Sequence, residues 1–242
     1  GAQTASDRAV ELGAEAVQIF ASSPRMWRFR SPKEDEVAAF REKAEASGVG
    51  PNFLHGSYLV NMGGAGDLIE KSVGSLTDHL TAASRLGASG VIFHTGSHRG
   101  AGFDTVFEQV VSGLTAVLEA TPDDAWLIIE NSAGMGSHIG SSFEEIGMII
   151  KAIGSDRVRV CLDTQHTFAA GYNIADSAGV EEAMAKFEAE IGLERLAAVH
   201  ANDSKQDLGS GVDRHENIGE GKIGTAGFHT IMGHSAFKDV PF

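Results

Sequence analysis

"VCLDTQH", residues 160–166, starts as a buried strand and ends as chemistry: Val160, Cys161 and Leu162 run directly into Asp163 and, three residues later, His166. Short runs of the same kind recur along the chain: "AVQIF" (16–20), "NFLHGSYLV" (52–60), "GVIFH" (90–94), "WLIIE" (126–130), "VRVCLD" (158–163) and "LAAVH" (196–200). Each is too short for a helix and too continuously apolar for a strand with one wet face. Between them lie segments with apolar residues at helical spacing, such as Leu68, Ile69, Val73, Leu76, Leu80 and Ala83, or Phe103, Val106, Phe107, Val110, Leu114 and Val117. Strands alternating with amphipathic helices predict βαβ crossovers and an α/β fold whose parallel sheet is buried on both faces. "NMGGAGD" and "SAGMGSHIG" follow strands and read as loops.

The polar residues that end these strands are His55, His94, Glu130, Asp163 and His200, at successive intervals of 39, 36, 33 and 37 residues. Each interval is one βα unit. In a TIM (β/α)₈ barrel all strands are parallel, so residues at their carboxyl ends converge on one rim, where such barrels keep their active sites. Six strands are visible where a closed barrel has eight. The expectation is an incomplete barrel with six to seven βα units, forming one domain over residues 1–242. Gly1 is expected to open a loop leading into a helix, and "FKDVPF" to stop where another strand should start, so the first strand and most of the last are expected to be missing.

With 242 residues and 42% hydrophobic content, the chain can bury a substantial core. Its one cysteine, Cys161, excludes an intrachain disulfide framework and fits a reducing compartment, so a cytoplasmic location is expected. No apolar run approaches the roughly 18 to 20 residues that span a bilayer. A net charge of −14 argues against non-specific adhesion to nucleic acid. It leaves room for a local cationic site, because bound divalent ions could supply the missing positive charge.

Imidazoles and carboxylates gathered on a rim without convergent cysteines suit zinc or manganese in a catalytic site. His166 follows Asp163 closely, and in "VDRH" the spacing puts Asp213 and His215 on one side of an extended segment. These three could form a separate His₂Asp site. Eight potential ligands would serve two or three ions, with Glu130 or Asp163 available to bridge. Clustered divalent ions suit phosphate-ester hydrolysis, whereas a single ion would suit isomerisation or epimerisation of a sugar. The residues themselves leave both open. His79, His98, His138, His229 and His234 have no motif support and read as structural or surface residues.

"FLHGSYLVNMG", "FHTGSHRG", "IENSAGMGSHIG", "CLDTQHTFAAGY" and "HANDSKQDLGSGVDRHENIGEGKIG" resemble, in order and over essentially the whole chain, the successive motifs of the endonuclease IV family. The resemblance implies a TIM barrel with three zinc ions that cleaves DNA 5′ to apurinic/apyrimidinic sites in base excision repair and leaves a 3′-hydroxyl. Metal-bound hydroxide would attack the phosphorus in line. His55 and His94 would hold one zinc, bridged by Glu130 to a second bound by Asp163 and His200. His166, Asp213 and His215 would hold the third, and manganese could take one position. Glu130, Asp163 and His94 would stand at the catalytic centre. A further glutamate of the family would lie beyond Phe242. Arg25, Tyr58 and Leu59 match side chains that enter the DNA, while Asn202, Lys205 and Arg214 sit beside ligands and could contact it. Asn131 and Asp203 also sit beside ligands and could orient them or contact phosphate. The implied partner is double-stranded DNA containing abasic sites, bound by a monomer, with no membrane involved. Gly56, Thr95 and Ala201 depart from the family pattern, and none replaces an expected ligand.

Overall fold

Six parallel strands form one curved sheet in chain order, with helices packed outside it, in a computed structural model that describes residues 4–242. The elements are α1 (Ala5–Leu12), β1 (Val17–Ile19), α2 (Glu34–Ser47), β2 (Asn52–His55), α3 (Asp67–Leu86), β3 (Gly90–His94), α4 (Phe103–Glu119), β4 (Trp126–Glu130), α5 (Phe143–Ile153), β5 (Val158–Asp163), α6 (Thr164–Ala169), α7 (Ser177–Glu190) and β6 (Leu196–His200). A two-residue antiparallel ribbon, β7 (Asp203–Ser204) with β8 (His215–Glu216), and α8 (Gly224–Gly233) follow. This is a TIM-barrel sheet with six of the eight strands of the closed form.

The strands alternate in a way that continuous hydrophobicity conceals. Leu54, Val91, Phe93, Leu127, Ile129, Val160, Leu162 and Val199 join Leu76, Leu80, Val110, Leu114, Ile146 and Phe187 of the helices in the larger core between sheet and helix layer. Phe53, Ile92, Ile128, Cys161 and Ala198 belong to a second, smaller cluster inside the curve of the sheet. Successive strand residues face opposite sides. A residue two places beyond each of these five therefore faces inward too, and those positions are His55, His94, Glu130, Asp163 and His200. Gly90 opens β3 because a Cβ there would lie 2.3 Å from the Trp126 carbonyl oxygen of the neighbouring strand.

The strand expected over 52–60 stops at His55. Beyond it the chain is drawn sideways: the Tyr58 N–H donates to the Pro24 carbonyl at 2.8 Å, the Ser57 hydroxyl to the same oxygen at 3.0 Å, and the Val60 N–H to the Ser57 carbonyl at 3.2 Å. The two bonds to Pro24 brace the β2–α3 loop against the β1–α2 loop. At the far edge the Val199 N–H donates to the Pro241 carbonyl at 2.9 Å, so the last residues run beside β6. The opening loop expected at Gly1 lies outside the described residues. Among the described residues no helix is long and apolar enough to cross a membrane.

Candidate metal centre

Asp163 and His166 are joined by a helix cap. Asp163 ends β5 and is the N-cap of α6, accepting the His166 N–H on Oδ1 at 2.9 Å. An aspartate at the cap thus places the imidazole one turn later, against the same pocket. The Asp163 carboxylate is fully buried and receives the Asn202 amide on Oδ2 at 2.7 Å, while its own N–H donates to Asn131 Oδ1 at 2.7 Å. Asn131 also accepts His166 Nδ1–H on its carbonyl at 2.8 Å.

Glu130 lies at the middle of the cluster. Its Oε2 is 3.1 Å from His55 Nε2 and 3.4 Å from His94 Nε2; its Oε1 is 2.9 Å from His200 Nδ1 and 3.6 Å from His166 Nδ1. Burial alone would raise the pKa of Glu130, but the imidazoles of His94 and His200 together hold it well below the usual carboxylate range. Burial lowers the pKa of His94. Burial also opposes protonation of His200, yet the adjoining Glu130 carboxylate raises its pKa above the ordinary imidazole value. The Cys161 thiol is itself pushed up to about 11 by burial and stays neutral inside the sheet.

Asp213 touches two imidazoles, with Oδ1 3.2 Å from His215 Nε2 and Oδ2 3.5 Å from His166 Nε2. Three trios of side chains can each bring one ligand atom within 4.8 Å of the others: His55, His94 and Glu130; Glu130, Asp163 and His200; Asp163, His166 and His215. Asp163 belongs to the third trio as well as to the second, and Asp213 stands against the same two imidazoles, His166 and His215. Glu130 and Asp163 each belong to two trios, so the three adjoin. The donors are imidazole and carboxylate only. One nitrogen of His55 and one of His166 donate to the carbonyls of Gly56 and Asn131, leaving the second nitrogen of each for the pocket. This donor set fits divalent transition-metal ions.

The centre lines a cavity of about 670 Å³ that includes Gln18, Tyr58 and Asn202. An adjoining cavity of about 410 Å³ is lined by Leu59, Ser97, Arg99, Ser132 and His138 together with His94, His166 and Asp213. Arg25, Lys205 and Arg214 are exposed on the loops around it, and Leu59 is half-buried. Arg214 donates to the Asp213 carbonyl at 2.7 Å. Asn202 turns inward to Asp163 and away from solvent. The Asp203 carboxylate faces away from the cavity and accepts N–H groups of Ser204, Gly219, Gly221, Ile223 and Gly224, at 2.7 to 3.1 Å for the shortest bond of each. It thereby shapes the glycine-rich loop that carries His215.

His98 accepts the N–H groups of Gly100 and Gly102, His79 is buried against the Ser75 carbonyl, and His234 pairs with Glu181. These are the structural roles expected. His138 instead lines the second cavity. The sequence also left Gln18 unnoticed, although a single amide inside the apolar run "AVQIF" is a signal of its own.

Parallel βα units with a carboxylate–imidazole cluster on the carboxyl rim define a metal-dependent TIM-barrel enzyme. A family model described as a Xylose isomerase-like TIM barrel matches residues 6–242. A "Probable endonuclease 4" of Natronomonas pharaonis is 39% identical over 243 residues, covering all of this chain and 86% of the relative. Endonuclease IV from Thermus thermophilus superposes with a TM-score of 0.90 at 40% identity, covering all of this chain and 86% of that one. A D-tagatose 3-epimerase-like protein shares the fold alone, with a TM-score of 0.74 at 20% identity over 97% of this chain and 83% of its own. This chain belongs to the endonuclease IV family.

Proposed function

We propose that this chain is a metal-dependent phosphodiesterase of base excision repair that cuts DNA on the 5′ side of apurinic/apyrimidinic sites and leaves a 3′-hydroxyl. The observation that carries the reading is the sharing of Glu130 and Asp163 among three adjoining ligand trios. Isomerisation of a sugar needs one ion, and a donor set for one ion would not extend to His166, His215 and Asp213.

The eight side chains His55, His94, Glu130, Asp163, His166, His200, Asp213 and His215 are the ligands in this reading, with three zinc ions as occupants and manganese an alternative at one position. Divalent ions held there would supply Lewis-acid stabilisation of charge on the phosphoryl oxygens. Glu130 and Asp163 contribute the negative charge that lets neighbouring ions approach one another, and Asn202 and Asn131 keep Asp163 in register. Tyr58 is 52% exposed at the cavity mouth, with its ring 5.4 Å from His55, and its loop is braced against that of Arg25. That bracing suits Arg25, Tyr58 and Leu59 to enter the minor groove and hold an abasic sugar outside the stack. The operation costs least where no base must be unpaired. Lys205 and Arg214 supply exposed positive charge for flanking phosphates on a chain that is acidic overall. One domain acting as a monomer in the cytoplasm completes the reading.

The test is incision of duplexes carrying a tetrahydrofuran abasic analogue, no damage or a 3′ block, with and without chelator, alongside metal analysis. Cutting at the analogue and not in undamaged duplex, lost on chelation and accompanied by about three zinc ions per chain, is the expected result. Cutting that survives metal removal, or sugar isomerisation with a single ion, would reject the proposal.

A further inference from the structure

We propose that Gln18 is a positioning residue of the metal centre, holding His200 in the tautomer that turns its Nδ1 lone pair toward the ions. Gln18 is the middle residue of β1, and its Oε1 lies 2.8 Å from His200 Nε2. The other ring nitrogen, Nδ1, lies 2.9 Å from Glu130 Oε1 and 4.0 Å from Asp163 Oδ2, the two carboxylates shared between trios. A neutral imidazole has one N–H, and the acceptor it finds decides which nitrogen is left to coordinate. With the proton on Nε2 and bonded to Gln18, Nδ1 faces Glu130 and Asp163.

The neighbouring imidazoles solve the same problem in the opposite sense. His55 and His166 donate from Nδ1 to the carbonyls of Gly56 and Asn131, which frees Nε2. Those acceptors are main chain and belong to the local fold. His200 must present Nδ1, so its acceptor has to stand on the far side of the ring. β1 supplies it, although β1 and β6 are the edge strands at opposite ends of the sheet order. An amide can accept this proton without adding charge to a pocket that already gathers Glu130, Asp163 and Asp213.

The inference rests on the metal-centre reading, and its test separates the two. Zinc titration against a chromophoric competitor would compare the wild-type chain with Gln18→Ala and Gln18→Glu, with circular dichroism of each as a check on folding. Gln18→Ala should weaken zinc binding about tenfold to a hundredfold, the usual cost of losing an outer partner of a ligating histidine. Gln18→Glu, which keeps the acceptor, should restore it. Long-range ¹H–¹⁵N spectra of zinc-loaded wild-type protein should show the His200 proton on Nε2, a readout that does not depend on either variant folding. Wild-type zinc affinity in a folded Gln18→Ala, failure of Gln18→Glu to restore it, or a proton on Nδ1 would overturn the role of Gln18. A wild-type chain that took up no zinc would remove the metal centre itself, and the clamp with it.

Discussion

At the scale of single residues, the centre is a set of imidazoles whose charge is governed by two buried carboxylates. Burial opposes a proton on His166, but the charges of Asp163 and Glu130 and the hydrogen bond to Asp213 raise its pKa to about 9. At neutral pH the metal-free imidazole therefore carries a proton that an incoming ion must displace. Zinc loading at pH 7 is expected to release protons, and apparent affinity to fall about tenfold per pH unit for each displaced proton as the pH drops below about 9. Calorimetry in two buffers of different ionisation enthalpy reads this directly, and equal heats in both would contradict it. His166→Ala and Asp213→Ala should each lower incision of an abasic-analogue duplex by at least about 10²-fold. Each should also reduce the zinc content, and full incision with unchanged zinc would remove that residue from the ligand set.

Among the elements, the decisive one is the junction of β5 with α6. A strand that turns into a helix with no linker makes its last residue a cap and puts the next imidazole one turn away, so "DTQH" is both a structural and a chemical motif. The loop from β7 to α8 is held otherwise, by five N–H groups converging on the buried Asp203 carboxylate. Asp203→Ala leaves those donors without their acceptor, and each buried unsatisfied donor costs about 1–3 kcal/mol. A loss on the order of 3 kcal/mol in urea denaturation is expected, with incision falling because β8 carries His215. A stability within about 0.5 kcal/mol of wild type would show that water replaces the carboxylate. Asp203 was legible as a neighbour of the ligands; its inward role was not, since four of its five donors lie 16 to 21 residues away.

Across the whole molecule, the candidate ligands come from the ends of five sheet strands, from α6 and from the segment that runs into β8, so ions bound there would tie together segments from His55 to His215. Without ions, the buried Glu130 and Asp163 carboxylates have only the surrounding imidazoles to face. Chelation is therefore expected to lower the thermal midpoint, since an ion bound only by the native state adds about 4 kcal/mol when free metal stands a thousandfold above its dissociation constant. Differential scanning calorimetry with and without chelator measures the shift, and identical midpoints would mean that the ions do not bridge these segments. The acidic net charge belongs to the same scale: DNA must be met by local cations and bound metal, against the field of the chain as a whole.

The order of βα units, the five polar strand ends and the likeness of "VDRH" and "CLDTQH" to one family were set by the sequence alone, because period and spacing are local properties of a chain. Tertiary structure decided what depends on distance: that Glu130 is the hub of four imidazoles, that Asp163 is shared by two adjoining trios, that the strand after residue 52 ends at His55, and that Gln18 meets His200 across 182 residues. Strand parity tells which side a residue faces. Only the curvature of the sheet and the course of its loops tell which other residues it will find there.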